Sequence, residues 1–301
     1  MQNIQIVPVG NRTDVGAAAA EQVADLIRHK PNATLVFPTG DTPLPMYRQL
    51  ADACRRAPED VFHLSLKGIT TFNLDEYVGA SYENSYDHFM WENFIRHTDM
   101  RLERAHIPHL IGRSKNMDIA IAHECAYYDS LLDQHLIDLA VLGVGQNGHI
   151  GFNEPGCDPE ERTHLVTLSE STRAANAHLF RSPEDVPTQA ITMGLKDILS
   201  AKRIILLASG SAKKEAILKL CLGKEDPDWP VTYLLRHPDV TLIVDNDCLP
   251  MELYAQGHSC FRVQFVTPNQ ENALCAKFTA STAKGDPYDQ RHLSFGCESH
   301  V

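Results

Sequence analysis

The sequence predicts a three-layer α/β domain, with helices on both faces of a mostly parallel sheet. Two observations predict it. Short apolar runs and amphipathic stretches at helical spacing alternate from residue 3 to residue 245. The apolar runs, LAVLGV at 139–144 and RIILLAS at 203–209 above all, are continuous rather than alternating, as in strands covered on both faces.

Taken in order, NIQIVPV at 3–9 is the first strand, and Asp14 is the expected cap of a helix through VGAAAAEQVADLIRHK. TLVF at 34–37 is a second strand, followed by the loop PTGDTP and a helix from about Pro45, where proline suits a first turn. ITTFNL at 69–74 reads as a strand ending at Asp75-Glu76-Tyr77, and 85–97 and 117–135 read as helices. After the strand at 139–144, HLVTL at 164–168 is strand-like and Ser169 caps the helix through TRAANAHLF. Ala190–Met193, 203–209 and TLIVD at 241–245 complete the strands, and Gly210-Ser211-Ala212-Lys213 opens a helix. Without repeat or linker, residues 1–255 read as one domain. Residues 256–301 are polar with weak periodicity and read as a C-terminal tail, partly disordered in composition.

Composition bounds the function. The chain has 301 residues, enough for a full core, and a formal net charge of -12, which argues against nucleic acid or an anionic membrane as partner. The start lacks a basic n-region, and no apolar stretch is long enough to span a bilayer. Eight cysteines contain no CxxC pair, so reduced thiols in a cytoplasm and no zinc are expected. Fifteen histidines show no HExxH-like spacing, so no metal is expected.

The loops at the strand ends carry the chemistry, because C-terminal ends of parallel strands share one edge. DLAVLGVGQNGHIGFNEP at 138–155 is the richest: glycines interleaved with Asn147, His149, Asn153 and Glu154 after a buried strand. A turn there would bring the Glu154 carboxylate to the His149 imidazole, orienting it and favouring its protonated form; the alternative is a surface or structurally hydrogen-bonded histidine, which the surrounding glycines and Asn disfavour. Asp75, at another strand end, is a candidate general base or equally a helix cap or a solvated carboxylate. Thr39, Gly40 and Thr42 offer donors to an anion or form an ordinary turn, and Asp41 counts against a phosphate there. Lys213 reaches a phosphate as a point charge or is simply solvated. Residues 143–148 fit G-x-G-x-x-G, but HIGFNEP rather than an apolar helix face follows, so the dinucleotide reading is weak.

Together FPTGDTP at 37–43, TFNLDEYVG at 71–79, SYDHFMWENF at 85–94, GVGQNGHIGFNEPG at 143–156, RTHLVTLSESTRAANAHLF at 162–180 and ASGSAKKEAI at 208–217 resemble the glucosamine-6-phosphate deaminase (isomerase) family over about residues 3–255. The resemblance implies a Rossmann-like sheet and conversion of an amino sugar phosphate and water to a ketose phosphate and ammonia, without a cofactor. It implies Asp75 as the base moving a proton between C2 and C1, His149 as the ring opener with Glu154 behind it and Asn147 beside it, and phosphate held by Thr39, Gly40, Thr42 and Lys213, with Gly145 in the substrate loop. The chain departs from the family at Asn147, where many members carry Asp; at Asp41, where a small residue is usual; and at His178, where a phosphate-holding Arg is common. His164 and Val166 stand where some relatives carry basic residues of an allosteric site, so that regulation is not expected. The alternatives are a galactosamine 6-phosphate substrate, a 6-phosphogluconolactonase-type hydrolase and a sugar-phosphate sensor without catalysis. Family members include monomers and hexamers, which leaves homo-oligomerisation open.

Overall fold

The computed structural model describes residues 4–109 and 116–250. The expectation for the tail at 256–301 lies outside the described residues.

The elements run β1 (Ile4–Val9), α1 (Arg12–His29), β2 (Thr34–Phe37), α2 (Leu44–Cys54), β3 (Thr70–Asn73), β4 (Asp75–Tyr77), α3 (Tyr86–Asn93), β5 (Ala105–His106), α4 (Met117–Leu132), β6 (Leu139–Gly143), β7 (His164–Thr167), α5 (Glu170–Asn176), β8 (Gln189–Thr192), α6 (Leu195–Leu199), β9 (Ile204–Ala208), α7 (Lys214–Cys221) and β10 (Val240–Asp245). Seven strands form one parallel sheet in the order β1-β10-β9-β6-β2-β3-β5. From β2 the chain steps outward through β3 to β5. It then returns to β6 and steps the other way to β9 and β10. The order therefore reverses between β2 and β6, where the loops of neighbouring strands part and leave a crevice.

The continuous apolar strands are explained by burial on both faces. Leu139 and Val141 of β6 pack with Val15, Val23, Met46, Tyr47 and Phe94 on the side of α1, α2 and α3. Ala140 and Leu142 pack with Tyr128, Ile198, Ile217 and Leu220 on the side of α4, α6 and α7. The alternation has the two-residue period of a strand. Each fully buried Leu, Ile or Phe contributes about 1.5–3 kcal/mol relative to exposure. At the amino end of β6, the Asp138 carboxylate is gripped by Lys30 Nζ at 2.7 Å, Lys202 Nζ at 2.9 Å and the Thr34 N–H at 3.0 Å. That clamp fixes the strand whose far end carries the Gly-rich loop.

Three local expectations are corrected, and one element went unpredicted. The cap of α1 is Asn11, whose side chain accepts from the N–H groups of Thr13 and Asp14; Asp14 sits inside the first turn. Residues 85–97 split into α3 and a 3-10 turn at Ile95–His97, broken at Phe94, which has φ -144° and a fully buried side chain. Asp75-Glu76-Tyr77 is not merely the end of β3. It forms β4, which leaves the parallel sheet to pair antiparallel with β8 in a small sheet ordered β4-β8-β7. The two-residue strand β5 went unpredicted because it is too short to show a period.

Candidate active site

The carboxyl ends of β2, β3, β6 and β9 open into one cleft of about 430 Å³. The loop 39–42, Asp75, Gly145, His149, His178 and Lys213 all line it. Asn147 and Glu154 stand behind His149 rather than on the wall.

Asp75 is 5% exposed, and its Oδ1 has no hydrogen-bond partner. Burial, then the neighbouring Glu76 charge, push its carboxyl up to about 8, with the Thr39 hydroxyl pulling the other way. The adjacent Glu76 has a different task. It accepts the N–H groups of Tyr77, Tyr86 and Asp87 at 2.7–2.9 Å, and so holds the start of α3. Glu76 thus supports the start of α3, whose cap is Ser85, while Asp75 faces the cleft. Gly151 makes room for it. Its φ is +58°, and an added Cβ would sit 3.0 Å from Thr192 Oγ1 and 3.4 Å from Asp75 Oδ2.

The His149 loop is pinned from many sides. Gly145 N–H donates to the His149 carbonyl at 2.9 Å, and Val231 N–H to the Gly148 carbonyl at 2.8 Å. Asn153, fully buried, donates to the carbonyls of Ile150 and Met193. Gly148, with φ +80°, lies against Trp229, where an added Cβ would stand 3.0 Å from the indole ring. This chain direction also disposes of the dinucleotide reading: after Gly148 the backbone closes an Ile150–Asn153 bridge instead of opening a helix.

Glu154 does not contact the imidazole as expected. Its Oε2 is 3.9 Å from His149 Nδ1, and Asn147 stands between them. Asn147 Nδ2 donates to Glu154 Oε2 at 2.8 Å, and Asn147 Oδ1 lies 2.7 Å from His149 Nδ1. An amide that spends its NH₂ on a carboxylate turns its oxygen to the ring, so Nδ1 carries the proton. Nε2 then holds a bare lone pair and has no partner among the described residues. Thr172 Oγ1, 3.3 Å from Nδ1, closes the ring's other side, and Ser169 donates from its N–H and hydroxyl to Glu154 Oε1. Burial also works against the expected protonated form. Burial lowers the imidazole to about 4; Glu154 opposes this and the Lys213 charge adds to it. A ring kept neutral by burial, with its proton on Nδ1, presents Nε2 to the cleft as an acceptor.

Replacing Asn147 by Asp puts a carboxylate beside Nδ1 and against Glu154. The His149 pKa is expected to rise by about one unit or more. An NMR titration of Asn147→Asp without an upward shift would remove the amide from this account.

At the other end of the cleft, Gly40 has φ +91° with nothing near its missing Cβ, which lets the 39–42 loop turn sharply beneath α2. Lys213 follows Gly210, whose φ is +86° and whose N–H is held by Asp245 at 3.0 Å. Burial draws the Lys213 ammonium below its ordinary pKa, with Cys248 opposing. Among the described residues no carboxylate pairs with it. Asp41 has two basic neighbours: Arg12 Nη2 donates to its carbonyl and lies 4.0 Å from its carboxylate, and His178 Nε2 lies 3.4 Å from the other oxygen.

Residues 12–243 match the family described as glucosamine-6-phosphate isomerases/6-phosphogluconolactonase. The chain belongs to this family. Within it, the glucosamine-6-phosphate deaminase of Thermoanaerobacter pseudethanolicus is 42% identical over 247 residues, 81% of this chain and 93% of the relative. Glucosamine-6-phosphate deaminase 1 of Bacillus subtilis is 44% identical over 237 residues, 78% of this chain and 93% of that one. A solved monomeric glucosamine-6-phosphate deaminase has a TM-score of 0.74 at 41% identity, covering 81% of this chain and 98% of its own. The 6-phosphogluconolactonase of Trypanosoma brucei, 17% identical with a TM-score of 0.65 over 82% of this chain and 98% of its own, shares the family's fold.

Among the residues without a sequence signal are Arg12 and Tyr86 of the cleft wall, and Thr172 beside the imidazole. Arg12 belongs to α1, far upstream of the loop it meets. Tyr86, which lines the cleft and whose hydroxyl donates to the Tyr77 hydroxyl at 3.1 Å, reads in sequence as a core aromatic. Thr172, buried in the first turn of α5, carries no signal in the sequence.

Proposed function

We propose that this protein isomerises and deaminates glucosamine 6-phosphate, giving fructose 6-phosphate and ammonia. One observation carries the proposal: a buried carboxyl with an unpartnered oxygen and an imidazole with an unpartnered nitrogen line the same cleft. The sequence likeness to curated deaminases supports the substrate.

His149 Nε2 takes the anomeric hydroxyl proton and returns a proton to the ring oxygen, opening the sugar. Asp75, as carboxylate, removes the C2 proton. The electron pair moves onto the C1 carbonyl oxygen, which takes a proton from the substrate's C2 ammonium, giving an enediol-type enolamine with a neutral amine at C2. The protonated Asp75 returns its proton to C1. The resulting C2 iminium adds water and expels ammonia. One water is consumed and no oxidant is needed. Thr39, Gly40 and Thr42 supply donors to the phosphate and Lys213 a charge, with Gly145 leaving room for the sugar beside His149.

Lys213→Ala is expected to raise KM for glucosamine 6-phosphate roughly tenfold to a hundredfold, with kcat changed only a few fold, because a charged hydrogen bond to a remote phosphate is uniform binding. An unchanged KM would move the phosphate elsewhere. The overall reading is tested by ammonia release from glucosamine 6-phosphate and its galacto epimer, with hydrolysis of 6-phosphogluconolactone alongside. Ammonia from the first and no lactone hydrolysis is the expected result; lactone hydrolysis alone overturns it.

Among the described residues no helix is long and apolar enough to cross a membrane. The reading assigns the activity to the unit ending near residue 255 and to the cytoplasm, where charge retains sugar phosphates.

A further inference from the structure

We propose that Arg12 binds the anionic end of the substrate and that Asp41 is its tether. The proposal rests on the reading of the cleft as a sugar-phosphate site, and it names a residue that lies outside the strand-end loops.

Arg12 is the first residue of α1 and lines the cleft. The start of an 18-residue helix is a poor place for a cation, since the helix dipole already puts partial positive charge there. Packing does not demand the side chain, which is 46% exposed. What it does meet is Asp41, in the loop after β2. One guanidinium nitrogen, Nη2, serves both the Asp41 carbonyl and, at 4.0 Å, its carboxylate. Nη1 and Nε have no partner among the described residues. A guanidinium tethered at one corner keeps its remaining N–H groups as a planar fork, which suits phosphate better than a point charge does.

Asp41 is the residue that most argues against an anion at this end of the cleft, and its surroundings answer that argument. Its two carboxylate oxygens face Arg12 and His178, so its charge is engaged before a ligand arrives. Held in place, it aims Arg12 across the loop whose Thr39 and Thr42 line the same wall. Lys213 supplies the second charge from the β9 side of that cleft.

The test is steady-state kinetics on Arg12→Gln and Arg12→Lys, with inorganic phosphate as competing probe, and phosphate binding measured directly by titration calorimetry. Arg12→Gln is expected to raise both KM for glucosamine 6-phosphate and the inhibition constant of phosphate about ten- to a hundredfold, with kcat within about threefold. Arg12→Lys, which keeps charge but not the fork, recovers part of the loss. Phosphate constants within twofold of wild type in Arg12→Gln, with the thermal midpoint unchanged, overturn the proposal. If the wild type releases no ammonia but phosphate affinity still falls in Arg12→Gln, the reaction reading fails and the assignment of Arg12 stands.

Discussion

Asp75→Asn is expected to lower kcat about 10²- to 10⁴-fold, the usual worth of a positioned general base, without unfolding the protein. The amide is nearly isosteric and cannot take the C2 proton. Solvent deuterium should cease to appear at C1 of the product. Turnover at the wild-type rate would end the role of Asp75. The same substitution has a stability signature that a bystander would lack. The Asp75 carboxyl is raised from 3.8 to about 8, so the folded protein keeps a proton that the unfolded chain releases. That contribution is fully present below about pH 4 and is lost as pH rises toward 8. Over this window wild type loses on the order of several kcal/mol from this group, while the Asn variant has no proton to lose. The thermal midpoint of Asp75→Asn minus that of wild type should therefore grow between pH 5 and pH 8. His149 contributes with the opposite sign: its pKa is lowered to about 4, so its contribution is present above about 6.5 and lost as pH falls toward 4.

The raised carboxyl also sets the pH profile. The base must be ionised, so kcat/KM, which reports the free enzyme, should fall on the acid side of about pH 8. In the complex the substrate's C2 ammonium lies beside the carboxylate and favours its charged form. The acid limb of kcat should therefore lie at lower pH than that of kcat/KM. The imidazole, neutral above about 4, sets neither limb in the neutral range.

What the sequence disclosed and what it withheld divide along a physical line. The run LAVLGV and the glycines after it were legible because burial on both faces and positive φ leave local marks in composition. So was the meeting of Asp75 and His149, since parallel strands bring their ends to one edge. The burial of the His149 loop was not legible, because Trp229 and Val231 against Gly148 and Thr172 beside the ring arrive from distant parts of the chain. The role of Asn147 was hidden for a related reason. Seven residues separate it from Glu154, and only the folded loop shows that the amide relays between carboxylate and ring. Arg12 was missed because a basic residue at a helix start carries no functional signature until its partner 29 residues on is seen beside it. Asp14 was read as the cap of α1, whereas Asn11, one turn earlier, takes that place, because both are good capping residue types and the folded chain decides the register.

Gly145→Ala is expected to cost at least 10²-fold in kcat/KM and about 1–3 kcal/mol in stability. The backbone at 145 is not in the left-handed region, so alanine is not strained there by φ. The obstacle is the imidazole itself: an added Cβ would stand 2.2 Å from both Cε1 and Nδ1 of His149. Carbon atoms do not approach that closely, so the ring must move by more than an ångström. It cannot move cheaply, because Nδ1 is tied to Asn147 at 2.7 Å and the His149 carbonyl to the Gly145 N–H itself. The ring is expected to leave its pocket, breaking the relay to Glu154 and carrying Nε2 away from the sugar. Once exposed, its pKa should return from about 4 toward the ordinary 6.5, which an NMR titration reads directly. A double-mutant cycle separates displacement of the ring from general damage. In a His149→Asn background, Gly145→Ala should remove little further activity, because the group it displaces is already gone. Equal losses in both backgrounds would mean that Gly145 serves the loop rather than the imidazole, and a single mutant within threefold of wild type would mean that the ring's position does not govern the rate.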